Sequence, residues 1–335
     1  MEQQSLGNRF GSIWDTYECG ERTRLENELA NLYKAPDSLV VSSGMAAITC
    51  VLLDLMTNHN LYLSDEKTYG YFEINNLIES VFNKLFPMNP VNKKIKIIEP
   101  IVNEPGMTIN LNNLTDLDET NALIIDNSLF SSSVPWPEWR KRARGKLFVI
   151  ESLPKYLTHK VSGGVIIGEK DLLESLRQTA RKIGVLLSRQ ASEKILNEDF
   201  KTHNRRLERL KDNADVFANK LRDIRPDLVV QTPHDLAAGA GLIRAKSSLV
   251  FVYYPNDQQL DREFSDWAKN TSRLLDNRPM VRAGYGWNKT YGRAYGNNQL
   301  NTSKGQKYLR FSIGLENKDI IEQMAVHLRR YPNDK

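Results

Sequence analysis

The chain has 335 residues, 40% hydrophobic and 26% charged, which is enough apolar material for a large core and, at this length, for two domains. Its 46 basic and 41 acidic residues leave a formal charge of +5, but the signs are mixed along the whole length, as on a solvated surface and not as on a nucleic-acid face. No run approaches the ~20 apolar residues of a membrane span, and the polar start Met1-Glu2-Gln3-Gln4-Ser5 lacks the apolar stretch of a secretory signal, so a cytoplasmic protein free of the membrane is expected.

Thr23 and Glu26 have capping-box spacing, and Leu25, Leu29 and Leu32 then share one helical face; the residues before Thr23 read as an irregular arm. Leu39-Val40-Val41 runs into Ser42-Ser43-Gly44, after which Ala47, Ile48, Val51, Leu52 and Leu55 follow helical spacing, giving a strand, a small-residue turn and a helix. Short apolar segments follow at Leu61–Leu63, Ile95–Ile98, Ala122–Ile125, Leu147–Ile150 and Val165–Ile167, separated by lengths that call for crossover helices. The pattern predicts an α/β fold with a mostly parallel central sheet covered on both faces. A helix is predicted over Arg206–Leu221, closed by Pro226, and then a smaller α+β domain: a strand at Leu249–Tyr254, a helix from Gln258 to Leu275, a strand at Tyr308–Ile313 and a last helix around Ile320–Leu328. The expected division is 1–36 for the arm and first helix, 37–220 for the large domain and 221–335 for the small one.

Three places carry chemical potential. At Ser42-Ser43-Gly44-Met45 a glycine between strand and helix lets backbone N–H groups face a phosphate, although small residues also serve merely to start helices. Asp126 ends a strand at the edge where open α/β sheets bind ligands, and its carboxylate could hold a ring nitrogen; Asp126-Asn127-Ser128 is equally suited to capping a turn. Lys155 lies just past the next strand and precedes Gly163-Gly164, where partial burial would let an amine become neutral enough to form an imine; most lysines are surface residues. Cys19 and Cys50 have no neighbouring cysteine or histidine cluster, so no metal is expected.

Thr23–Ala30, Ser42–Ile48, Thr68-Tyr69-Gly70, Ile98-Glu99-Pro100 with Asn103, Asp126–Ser128, Ser152–Tyr156 with Gly163-Gly164, Arg206-Leu207-Glu208 with Asn213-Ala214, and Leu309–Glu316 occur in one order. Together they resemble the Cys/Met-metabolism family of pyridoxal-phosphate enzymes, the relatives of cystathionine γ-synthase and methionine γ-lyase. The resemblance implies the fold type I architecture and pyridoxal 5'-phosphate as cofactor. It implies that Ser43, Gly44 and Met45 hold the phosphate with the Ser152 hydroxyl, that Tyr69 stacks on the ring, that Asn103 sits near the phenolic oxygen and that Asp126 holds the ring nitrogen. Lys155 would be the Schiff-base lysine and general base, and Arg310 the clamp for the carboxylate of a small amino-acid substrate. Tyr17 resembles the tyrosine of an arm that completes a neighbouring subunit's site, implying a homodimer or homotetramer.

The departures from the family pattern are Cys19 in place of an arm arginine, which Arg22 or Arg24 would have to replace, Pro154 in place of a threonine, and an aromatic, basic segment Ala283–Arg293 before the last strand. That segment reads either as a changed substrate pocket or as a surface loop. The leading expectation is elimination or replacement at Cβ or Cγ of an amino acid, such as a sulfur amino acid or an activated homoserine. The alternatives are a non-sulfur substrate in specialised metabolism, with transamination or cyclisation included, or a relative that keeps the fold without catalysis.

Overall fold

The computed structural model describes residues 19–63, 72–86, 94–101, 122–254, 257–281, 285–295 and 308–328. By their contacts the described residues form two compact units, one holding nearly all of 19–203 and the other 204–328. Among the described residues no helix is long and apolar enough to cross a membrane.

In the first unit, α1 (Gly20–Tyr33) begins earlier than the Thr23 spacing predicts. Cys19 is its N-cap, accepting from Arg22 N at 3.4 Å, while Thr23 Oγ1 donates to Cys19 O at 3.2 Å. Glu26 does not turn back to cap the helix; it is buried and accepts from Val40 N at 3.1 Å and from Arg177 at 2.6 Å. Packing of α1 on the sheet offers this carboxylate a strand amide and a guanidinium, and these displace the local capping contact.

The strands are β1 (Asp37–Val41), β2 (Tyr62–Leu63), β3 (Lys94–Ile98), β4 (Ala122–Asp126), β5 (Lys146–Ser152) and β6 (Gly164–Gly168), in the order β1-β6-β5-β4-β3-β2. Pairings from β2 to β5 are parallel, and β4 and β5 carry unbroken apolar runs over Ala122–Ile125 and Leu147–Ile150, as burial on both faces requires. The mostly parallel sheet of the sequence reading is present, but β6 runs antiparallel to both β5 and β1. Residues 153–163 are too few for a crossover, which takes roughly a dozen or more, so the chain doubles straight back. The helices of this unit include α2 (Gly44–Asn58), α3 (Phe72–Leu77), α4 (Trp136–Arg140), α5 (Lys170–Lys182) and α6 (Arg189–Leu196).

The second unit takes almost all of α7 (His203–Ile224). The expected division near residue 220 falls inside this helix, whose stripe of Ala214, Phe217, Ala218 and Leu221 packs into a core with Val250, Val252, Trp267, Leu309 and Phe311. The remaining elements are β7 (Val229–Gln231), α8 (Pro233–Gly239), β8 (Leu249–Tyr253), α9 (Asp257–Leu274), β9 (Tyr291–Tyr295), β10 (Tyr308–Ser312) and α10 (Lys318–Val326), the strands forming an antiparallel sheet in the order β7-β8-β10-β9. The end of the Ala283–Arg293 segment is therefore a strand and not a loop. Its glycine misleads in the sequence, yet Gly292 is where the core presses closest: a Cβ there would meet Trp267 at 2.7 Å and Phe264 at 2.9 Å. Beneath this core Arg225, 1% exposed in its side chain, pairs with buried Glu263 at 2.5 Å and with Asp227, and donates to Leu328 O at 2.8 Å.

Candidate active site

Register brings four strand ends of the first unit to one edge. Asp126 closes β4 opposite Ile150, Ser152 closes β5 opposite Gly164, and Val41 closes β1 opposite that same Gly164. This is the edge at which parallel strands of an open sheet present their carboxyl ends.

The turn after β1 is held down by this convergence. Ser43 is the N-cap of α2, its Oγ accepting from Ala46 N at 3.0 Å, and Ala47 N bonds to Ser43 O. The N–H groups of Gly44 and Met45 are the first of the helix and have no intrahelical acceptor, so they point toward any anion at the helix start. Neither glycine could carry a side chain: a Cβ on Gly164 would lie 2.2 Å from Ser43 O, and one on Gly44 would lie 2.9 Å from Ser152 Cβ. Gly164 is thus a packing requirement of the turn, and Ser162 Oγ adds a bond to Ser42 O at 3.0 Å.

Asp126, half-buried, accepts from Ser128 N at 3.0 Å, so the turn-capping contact expected for Asp-Asn-Ser does form. Burial pushes its carboxyl above the ordinary range, while hydrogen bonds from Ser128 and the positive charge of Lys155 draw it back down. Lys155 thus lies within electrostatic reach of Asp126, in the turn where Lys155 N bonds Ser152 O at 3.0 Å. Ser128, quoted in the sequence only as part of a motif, links these parts. Its backbone and hydroxyl bond to Asp126, and its Oγ accepts from Ser152 N at 2.9 Å. A serine two residues beyond a strand-end aspartate was the available signal.

Glu151 was not anticipated as chemically interesting. It is buried, its pKa is pushed well above the usual value by burial, and its Oε2 accepts from Ser131 Oγ at 3.0 Å, which also lies 3.3 Å from His203 Nε2.

Tyr17, Tyr69 and Asn103 lie outside the described residues. Cys19 is buried at the start of α1, Arg22 is buried with Nη1 on Leu187 O at 3.2 Å, and Arg24 is exposed. Pro154 O is 2.9 Å from His159 Nδ1 within the Lys155 turn. Among the described residues Asp215, His234 and Asp235 form one group with metal-ligand chemistry, but Lys211 and His234 already hold Asp215 at 2.7 Å and Arg222 holds Asp235 at 3.3 Å.

In the second unit, Arg310 lies in mid-β10, 6% exposed, with its guanidinium 4.7 Å from the Tyr295 ring centre and 5.9 Å from that of Tyr285. The segment before β9 is pinned. Arg206 donates to Gly286 O at 2.5 Å and to Asn288 Oδ1, Asn213 Nδ2 donates to Gly314 O at 2.9 Å, and Thr290 and Arg278 bond Glu316. Arg206, Asn213, Gly314 and Glu316, matched to family motifs in the sequence, here form a frame for residues 285–290.

Residues 2–105 match the family described as "Cys/Met metabolism PLP-dependent enzyme". A cystathionine gamma-lyase of Bacillus subtilis (strain 168) is 27% identical over 239 residues, covering 66% of this chain and 62% of the relative. An L-methionine gamma-lyase of Fusobacterium nucleatum subsp. polymorphum is 26% identical over 263 residues, covering 69% of this chain and 65% of the relative. The family match thus covers the first third of the chain, and the two curated relatives extend the similarity to about two thirds of it. The chain spans somewhat less than two thirds of the length of these curated relatives. A crystal structure of cystathionine gamma synthase from Xanthomonas oryzae pv. oryzae, in complex with aminoacrylate and cysteine, matches 93% of this chain and 86% of its own with a TM-score of 0.74 at 18% identity, a likeness of fold.

The residues at the sheet edge fit the family's cofactor part by part. A helix start with two N–H groups and a neighbouring serine hydroxyl suits a phosphate. A half-buried carboxylate suits a protonated ring nitrogen, and an amine one turn beyond β5 suits the aldehyde.

Proposed function

We propose that the chain is a member of the Cys/Met-metabolism family of PLP-dependent enzymes and catalyses elimination or replacement at Cβ or Cγ of an amino-acid substrate, with the gathering of Gly44, Asp126, Ser152 and Lys155 at one sheet edge carrying the reading. Gly44 and Met45 would hold the cofactor phosphate through backbone N–H groups, beside Ser43 and the Ser152 hydroxyl. Asp126 would keep a proton on the ring nitrogen, whose positive charge returns to the carboxylate the solvation that burial removes. Bound there, the cofactor supplies an electron sink for the charge left at the substrate Cα. Lys155 would hold its aldehyde, then take the Cα proton and return it; loss of a γ-substituent needs a second deprotonation at Cβ, and β-loss does not. Arg310 would clamp the substrate carboxylate with its planar fork.

Tyr69 stacking on the ring, Asn103 near its phenolic oxygen and Tyr17 reaching a neighbouring subunit's site complete the proposal, with a homodimer or homotetramer as the assembly. A cytoplasmic setting suits the free, buried thiols of Cys19 and Cys50. The tyrosine and arginine content of β9 favours a second reading, a non-sulfur substrate.

Purified protein loaded with pyridoxal phosphate should show the visible absorption of a lysine-bound aldehyde, and Lys155→Ala should give no borohydride-fixed adduct and lose on the order of 10²–10⁴-fold in rate as its general base is removed. A colourless protein that takes up no cofactor sinks the proposal. Product analysis by mass spectrometry then separates the readings: a keto acid with a thiol supports sulfur chemistry, and inertness toward every sulfur amino acid supports the second.

A further inference from the structure

Consecutive residues at the end of β5 hold the turn that follows β4. Ile150 O accepts from Asn127 N at 2.8 Å, the Glu151 carboxyl accepts from Ser131 Oγ at 3.0 Å, and Ser152 N donates to Ser128 Oγ at 2.9 Å. Asp126 heads this turn and accepts from Ser128 N at 3.0 Å. The outer two ties use the backbone of β5. The middle one is a side chain, and strand alternation sends it to the face opposite that of the Ser152 hydroxyl.

Ser131 is 1% exposed and has a φ of 50°, a left-handed conformation in which a residue with a Cβ stays only when its surroundings hold it. Asn127 holds its backbone, with Nδ2 donating to Ser131 O at 2.7 Å and to Val134 O at 3.2 Å, and Glu151 holds its hydroxyl. His203 Nε2, in the last residue of the first unit, stands 3.3 Å from the same Oγ, so the hydroxyl lies between a carboxyl and an imidazole. Glu151 is 2% exposed, and burial pushes it toward the neutral acid. Its Oε1 is buried and has no hydrogen-bond partner among the described residues. A buried acid of this kind costs stability, a breach of local rules expected where function has selected the residue.

We propose that Glu151 is a positioning residue of the cofactor site: through Ser131 it fixes the turn from which Asp126 meets the ring nitrogen, without itself touching cofactor or substrate. The inference rests on the role given to Asp126 above. A carboxylate serves one ring atom only while it stays within hydrogen-bond reach, so the support beneath it matters as much as the group. The neutral acid suits this task, because it accepts from Ser131 and sets no second negative charge beside the residue that takes the phosphate.

The full chain loaded with pyridoxal phosphate carrying nitrogen-15 in its ring tests this, since the magnetic resonance of that nitrogen reports whether it is protonated. Asp126→Asn sets the reference and should lower the pH at which the nitrogen loses its proton. Glu151→Leu and Ser131→Ala should lower it too, by about one pH unit, or tenfold in proton affinity. Glu151→Gln, which keeps an acceptor for Ser131, should match the native protein. Urea unfolding is read beside each titration, and Ser131→Ala, which removes a single oxygen, carries the test if Glu151→Leu does not fold. Variants that lose stability but keep the native nitrogen titration overturn the inference, because the contact then serves the fold alone. So does a Glu151→Gln protein that titrates like Ser131→Ala. An Asp126→Asn protein with the native titration would instead remove the role of Asp126, and the positioning role with it.

Discussion

In the six-stranded sheet the residues of chemical interest occupy strand ends, with Asp126 on β4 and Ser152 on β5, whereas in the four-stranded sheet Arg310 and Arg293 lie in mid-strand on one face. Topology accounts for the difference. Parallel strands covered on both faces can present only their ends and the turns beyond them, so small residues and backbone groups do the presenting. In the antiparallel sheet the face turned away from the α7–α9 core also carries side chains, and large aromatic and cationic ones stand there, Phe251, Tyr308 and Arg310 buried among them. Buried charge is handled differently as well. Glu263 in the second unit is matched by Arg225, while Glu151 in the first accepts from the Ser131 hydroxyl and is pushed by burial toward its protonated form.

The contrast can be broken most forcefully at the buried ion pair. Glu263→Ala leaves Arg225 buried with less to neutralise it and should cost about 3–5 kcal/mol, read from urea unfolding; a loss below about 1 kcal/mol would mean that Asp227 alone neutralises the guanidinium. Gly164→Ala sets a Cβ 2.2 Å from Ser43 O, so the turn must move. An expected loss of about 1–3 kcal/mol, together with weaker retention of pyridoxal phosphate on dialysis, would sharpen the contrast, and unchanged retention would detach the turn from the phosphate.

Glu151→Gln should act in the opposite sense and depend on pH. The folded pKa of Glu151 is raised above its unfolded value, ~4.3, so below that pH both states hold the proton and the variant gains nothing. As pH rises past it, the unfolded chain releases a proton that the folded one keeps, and the native protein loses stability until the folded state also titrates. The variant should therefore be the more stable at pH 7 and level with the native protein near pH 4. Parallel curves across that window would show that Glu151 is ionised in the fold. Ser128→Ala should be the mildest, about 0.5–1.5 kcal/mol for its hydrogen bonds, with a fall in cofactor affinity as Asp126 loses its support. A stability change without that fall would confine Ser128 to the turn.

Much of the fold is legible in the sequence. The apolar runs at Leu39–Val41, Ala122–Ile125 and Leu147–Ile150 marked strands because burial on both faces leaves no polar alternation, and the stripe from Leu207 to Leu221 marked α7 by its period. Gly44, Asp126 and Lys155 stood out because strand ends are found by locating strands. Less visible were β7, whose Val229 is 57% exposed, and β9, whose glycine reads as loop until the core pressing on it is seen. The capping spacing of Thr23 and Glu26 misled: the helix starts at Gly20 with Cys19 as its cap, and Glu26 is drawn to Val40 N and Arg177.

Taken alone, the sequence determined the fold class, the order of most elements and the strand-end positions of Gly44, Asp126 and Lys155, since these depend on hydrophobic period and on residues near one another in the chain. Only the tertiary structure decided that β6 reverses direction, that Ser128 joins Asp126 to Ser152, and that Arg293 stands opposite Arg310. Each of these depends on pairing between segments distant in sequence, and a register of that kind leaves no local trace in composition or spacing.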